Sequence, residues 1–409
     1  MQEKLEKYAE LILKKGVNIQ KDQPLLIIAP IESIPFVRIL AKRAYELQVR
    51  DIDFCWEDPV LEHDQLCVYD EQEILRSHLF QRDQLEECCK KGGAVIFLEG
   101  PDPDALKDIQ SSKIAAATKA RLLSQPTARK KRSTYEFPWV IATVVTENWA
   151  EKLFPEESDR STKLWNLIFD CCLIHEDDPL VAWDQKAKRT EQQKEWLNQL
   201  HLKTIHYQNS LGTDLTVTLN EDSIWEGALS QTPNGRELLV NIPSEEVFTS
   251  PNYHETSGIV FSSKPLVYEG NIIDQFSLKF EKGKVVEVHA KEGEEILKGI
   301  LATDPQASFL GEVALVEYDS PISNSQILFY TTLFDENAAC HLALGSGFPT
   351  TIQGGEKLKK EELLKRGVNE SDVHVDFMIG TKDLKITGTD FDGVEHCIFE
   401  NGNFVKNVT

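Results

Sequence analysis

Nowhere do apolar residues run on for the ~18 consecutive positions that a membrane-spanning helix needs, and the N-terminal Met1–Glu6 is charged and amphipathic, without a signal peptide's apolar core. A cytoplasmic location with no membrane partner is therefore expected. The cysteines lack C-x-x-C spacing, which argues against a thiolate zinc site. Cys88-Cys89 and Cys171-Cys172 are adjacent, and Cys55, Cys67, Cys340 and Cys397 stand alone; in a reducing compartment they read as buried small hydrophobes or free thiols. No G-x-G-x-x-G follows the first apolar run, so a dinucleotide is not implied. Positive charge is scarce: 44 Lys and Arg stand against 67 Asp and Glu, a net charge of −23 that repels phosphates and anionic lipid. The one basic cluster, Arg129-Lys130-Lys131-Arg132, reads as a solvated loop on so acidic a chain, and nucleic acid is not an expected partner.

What is present is ample apolar material, 41% of 409 residues, enough for two domains each with its own core. The first part alternates helix and strand. Leu5, Tyr8, Ala9, Leu11 and Ile12 recur at helical spacing up to Gly16, and Leu25–Pro30 has buried-strand character. A second amphipathic helix covers Phe36 to Ala44, and strands follow at Ile52–Trp56 and Gly93–Leu98. That order predicts an α/β domain over residues 1–125, a parallel sheet flanked by helices. A polar, helical stretch from Pro101 to Pro138 marks the boundary. Residues 126–409 then read as an α+β domain with a curved, barrel-like antiparallel sheet. Its strand candidates are Trp139–Val145, Leu215–Leu219, Phe276–Phe280 and Val285–His289, with Lys282-Gly283 as a hairpin turn and Phe399–Phe404 as a terminal hairpin.

Four segments of this second part carry acids or imidazoles in unusual surroundings. Glu245 and Glu246 stand between a proline-led loop and Val247-Phe248; a solvated turn or a ligand role would each explain them. Glu312 lies inside the apolar run Phe309–Val316. A buried carboxylate needs a cationic partner or a metal, and an exposed edge is the alternative. His341 follows Asp335-Glu336-Asn337 in what reads as a loop opening a short helix, where it is either a ligand or a hydrogen-bonded core residue. His374 and Asp376 alternate with Val373, Val375 and Phe377, so on a strand they share one face; that makes half a metal site, or a solvent-facing pair. Two glutamates, two histidines and an aspartate suit zinc, cobalt or manganese, and five ligands exceed what one tetrahedral zinc needs.

These segments, "NIPSEEVFTSP", "LGEVALVEYDSPIS", "TLFDENAACHLALGSGF" and "SDVHVDFMIG", resemble the aminopeptidase T/aminopeptidase S family of thermophilic-type dinuclear metalloaminopeptidases. The stretches "APIESIPFVRILAKRAYE", "PWVIATVVTENWAEKLFP", "EDDPLVAW" and "LGTDLTVTL" extend the resemblance over almost the whole chain. It implies metal ligands at Glu246, Glu312, His341, His374 and Asp376, with Glu246 preferred to Glu245 because it directly precedes Val-Phe-Thr. It also implies two divalent metal ions, a metal-activated water attacking peptides that have a free N-terminus, and a homodimer. Glu245 or Glu336 would serve as general base or amine anchor. The family usually has a tyrosine seven residues after the histidine of the third segment; here that position is Phe348. Rival readings are a dinuclear hydrolase of another amide or ester, and a relative that binds metal but has lost turnover.

Overall fold

The computed structural model describes residues 1–76, 79–268 and 270–405. The chain divides into two compact units, one of residues 1–184 and 229–243, the other of residues 185–228 and 244–409. Residues 126–184 and 229–243 therefore pack with the N-terminal unit, although the sequence suggested a single cut near residue 125. The reason is strand pairing. In the first unit β1 (Leu25–Pro30), β2 (Ile52–Glu57), β3 (Ala94–Glu99) and β4 (Trp139–Thr143) join Asn241–Ile242 in a parallel sheet of order β2-β1-β3-β4 and then Asn241–Ile242. Trp139–Thr143, expected in the second domain, thus extends the first sheet. Flanking helices bury the faces that their periodicity marks, such as Phe36, Val37, Leu40, Ala41 and Ala44 on Ile34–Glu46. The basic cluster lies on helix Pro126–Ser133, with proline in its first turn, and not in a loop. Arg132 packs over the rings of Phe97 and Trp139.

The second unit holds two antiparallel sheets. Nine strands form the larger, running in order through Leu266–Tyr268, Asn271–Glu281, Ser257–Phe261, Asp214–Thr218, Leu202–Gln208, Lys385–Asp390, Glu395–Glu400 and Asn403–Phe404. Lys284–Glu292 pairs with Asn271–Glu281 as the ninth. Lys282 and Gly283 both have positive φ, the backbone a tight hairpin demands, and Asn401 and Gly402 repeat the device at the C-terminal hairpin. Register shifts in three of the ladders bend the sheet; its end strands do not pair with each other among the described residues, so no closed barrel forms among them. The smaller sheet consists of β5 (Val247–Thr249), β6 (Leu310–Leu315), β7 (His341–Gly345) and β8 (His374–Met378), in that order. One apolar core draws on both sheets, with Val217, Leu278 and Ile386 from the larger and Val313, Leu342 and Phe377 from the smaller. All eight cysteines are free, six of them buried. No helix among the described residues is long and apolar enough to cross a membrane.

Candidate metal centre

The smaller sheet assembles the centre by strict alternation. Val247, Val313, Leu315, Leu342, Leu344, Val375 and Phe377 turn into the apolar core. The opposite face is left to Glu246 and Phe248 at β5, Glu312 and Ala314 on β6, His341, Ala343 and Gly345 on β7, and His374 and Asp376 on β8. Glu312, Ala343 and Asp376 are cross-strand neighbours, as are Gly345 and His374. The middle strand thus contributes small residues where the flanking strands contribute ligating side chains, so the latter can meet above it. A register shift between Leu310 and Glu312 swings the acid into line. It depends on Gly311, where a Cβ would stand 2.2 Å from the Ser346 carbonyl oxygen.

All five residues expected as ligands come together. His341 Nε2 lies 3.2 Å from Glu246 Oε2. His374 Nε2 lies 3.1 Å from Glu312 Oε2 and 3.2 Å from Asp376 Oδ1. Two groups, Glu246–Glu312–His341 and Glu312–His374–Asp376, each bring their ligating atoms within 4.8 Å of one another, and Glu312 belongs to both. Glu246, Glu312, His341 and Asp376 are buried, whereas the His374 side chain keeps 28% exposure and marks the open side. The exposed-turn, exposed-edge and surface-pair alternatives for the acids therefore fall away. His341 does not open a helix: helix Thr332–Asp335 and a 3₁₀ turn Glu336–Ala338 precede it, and alternation with Leu342 and Leu344 makes it the first residue of β7.

Both imidazoles are oriented in the same way. Nδ1 of His341 faces the Ala339 carbonyl at 3.2 Å and Nδ1 of His374 faces the Ser346 carbonyl at 2.7 Å. Each therefore holds a proton on Nδ1, donates it to the backbone, and presents Nε2 to the acids, the orientation that a backbone carbonyl behind the ring imposes on a metal-binding histidine. Asp376 Oδ1 is buried and has the His374 imidazole beside it, at 3.2 Å. The clustered acids and imidazoles shift one another's protonation. Burial pushes the Glu312 carboxyl up to about 7, with the bond to His374 opposing and the charges of Glu246 and Asp376 adding. Burial alone would depress His341, but its bond to Glu246 and the surrounding acids carry it up to about 10. His374 likewise overcomes burial through Asp376 and Glu312 and is raised well above an ordinary imidazole. Divalent cation binding here would take the place of these protons. The donor set of carboxylate oxygens and imidazole nitrogens fits such ions.

The two residues expected to do proton or amine chemistry part company. Glu336 is partly buried beside the cluster; burial, then the charges of Asp376 and Glu246, raise its carboxyl well above the usual range. Glu245 instead pairs with Lys186, and its backbone N–H donates to Asn337 Oδ1 at 2.7 Å. Phe348 packs edge-on against His374, ring centroids 5.1 Å apart, and against Phe248 at 5.3 Å. Lys186 and Asn337 were not singled out in the sequence. Nothing local marks a lysine 59 positions from its partner, whereas Asn337 sits inside the third segment, four residues before His341.

The family model described as thermophilic metalloprotease (M29) matches residues 1–404. The chain belongs to that family. Among M29 relatives it is 41% identical to "Aminopeptidase AmpS" of Bacillus subtilis and 42% identical to "Aminopeptidase 2" of Geobacillus stearothermophilus, in each case over 98% of both chains. The M29 fold is shared with the solved structure of wild-type AmpT from Thermus thermophilus, with a TM-score of 0.93 and 34% identity over 99% of this chain and 100% of that one.

Proposed function

We propose that the two lobes around Glu312 hold two divalent cations, zinc, cobalt or manganese, with Glu246 and His341 completing one lobe and His374 and Asp376 the other. The chain is a metal-dependent aminopeptidase. The observation that carries the ligand assignment is the pair of imidazoles whose Nδ1 atoms are tied to backbone carbonyls while both Nε2 atoms face shared carboxylates. When bound, such cations supply a Lewis acid for a peptide carbonyl and a water acidified to near neutrality. The protein's own residues do the rest. Glu336 stands where it can hold the proton taken from that water, or anchor the substrate's free amine. Glu245, engaged by Lys186, serves to hold its loop. His374 lies on the open side, so the substrate enters there, past Phe348 and Phe248. A homodimer is proposed from the resemblance alone. A cytoplasmic location is supported by eight unbridged cysteines, which suit a reducing compartment.

The test is hydrolysis of a mixed set of short peptides by metal-stripped protein, before and after zinc, cobalt or manganese is restored. Stepwise release of N-terminal residues only after metal addition is expected. Cleavage of acyl esters in preference to peptides, or metal uptake with no peptide cut, would overturn the reading.

A further inference from the structure

Glu336 is flanked by two buried polar residues whose side chains turn away from the cluster. On one side Asp335 accepts hydrogen bonds from the Phe329 N–H at 2.7 Å and the Thr331 N–H at 3.1 Å, closing the loop that leads into its own helix. On the other, Asn337 is wholly buried and uses both ends of its amide. Its Oδ1 accepts from the Glu245 N–H at 2.7 Å, a bond between residues 92 positions apart. Its Nδ2 donates to the Leu333 carbonyl at 2.9 Å and stands 3.4 Å from Glu336 Oε1. The 3₁₀ turn Glu336–Ala338 is thus fixed at each end, with the middle acid pointing where the outer two do not.

From this we infer that Asn337 is a positioning residue for the Glu246 lobe of the centre, and that it also sets Glu336 in place. The inference rests on the two-lobe reading above. Glu246 follows Glu245 directly and enters β5 at Val247, so the backbone bond at Glu245 determines where the Glu246 carboxylate stands. A neighbouring amide is the natural clamp: one side chain meets an N–H on the ligand loop and a carbonyl on the turn without adding charge to four acids. Among the described residues no hydrogen bond joins Asn337 to the His374–Asp376 lobe. Its members lie on β8, held by the ladder to β7 and by the Ser346 carbonyl. Partners of this kind change metal affinity roughly 10- to 100-fold when removed.

The experiment is zinc titration of the metal-stripped full chain by calorimetry. In a His374→Ala background, which keeps Glu246, Glu312 and His341, Asn337→Ala should weaken zinc binding by roughly 10- to 100-fold. In a His341→Ala background the same change should leave zinc affinity within about twofold, since only the other lobe remains. Equal weakening in both backgrounds, or none in either, overturns the inference. Asn337→Asp guards against a misfolded alanine variant. It keeps an acceptor for the Glu245 N–H but sets an acceptor against the Leu333 carbonyl and Glu336. Undiminished zinc affinity at the Glu246 lobe with kcat lowered at unchanged KM is expected; an unchanged kcat overturns the link to Glu336. Zinc uptake by the wild-type chain, and its loss in Glu312→Gln, checks the two-lobe reading separately.

Discussion

Glu312→Gln is the most incisive single change. The side chain lies at 4% exposure within β6, all six of whose residues are buried, and it is the one group common to both lobes. Glutamine matches its volume, so no cavity opens, and it still accepts a hydrogen bond from His374. On the proposed two-metal reading, what disappears is one anionic oxygen from each group of ligating atoms. In the metal-free state the variant should therefore be close to the wild type in stability, because burial already disfavours the charged form of Glu312 and glutamine keeps the hydrogen bond to His374. With metal the two diverge. At a hundredfold excess over the dissociation constant one site adds about 2.7 kcal/mol to the wild type. For a unit of about 200 residues that is a rise of roughly 5–10 °C in Tm, and the variant should show almost none. Several kcal/mol of transition-state stabilisation go with the metals, so kcat/KM should fall by at least about 1,000-fold. The assay is a pair of thermal melts, stripped and zinc-loaded, beside a peptide-release rate. A variant that gains as much Tm from zinc as the wild type, or keeps its turnover, would refute Glu312 as the shared ligand.

Two further substitutions separate the acids near the centre. Glu336→Gln should lower kcat by roughly 100-fold or more, as loss of a general acid–base group does, whereas Glu245→Gln should leave kcat within about tenfold because the partner it loses is Lys186; the reverse ranking would exchange their roles. Outside the ligand cluster, burial pushes the Glu226 carboxyl up to about 7, with Lys194 opposing and Glu191 adding. A folded-state pKa raised in this way contributes stability below the unfolded value of 4.5 that is lost as pH climbs through about 7. Glu226→Gln removes that dependence, so denaturant melts of variant and wild type should diverge across this window by at most about 3 kcal/mol. Parallel curves would show that Glu226 titrates normally in the fold.

Much of the centre was legible in the sequence, because strand alternation is a local property. Val373–Phe377 places His374 and Asp376 on one face whatever the rest of the chain does, and an acid inside Phe309–Val316 must be accounted for wherever that run is buried. Helices and strands of the first unit followed from periodicity for the same reason. The division of the chain did not. Strand Trp139–Thr143 is equally apolar in either unit, and only its parallel pairing with Ala94–Glu99 assigns it to the first. The segment around His341 read as a loop opening a short helix; that His341 is instead the first residue of β7 is decided by hydrogen bonds to β6 and β8. The sequence determined which side chains are able to bind metal and that several of them share a strand face. Tertiary structure alone decided that Glu312 lies between two lobes, that Glu245 is claimed by Lys186 while Glu336 faces the cluster, and that Asn337 joins two segments far apart in the chain. Those outcomes depend on long-range pairing and on which carboxylate finds a cation first, and no local pattern of residues encodes either.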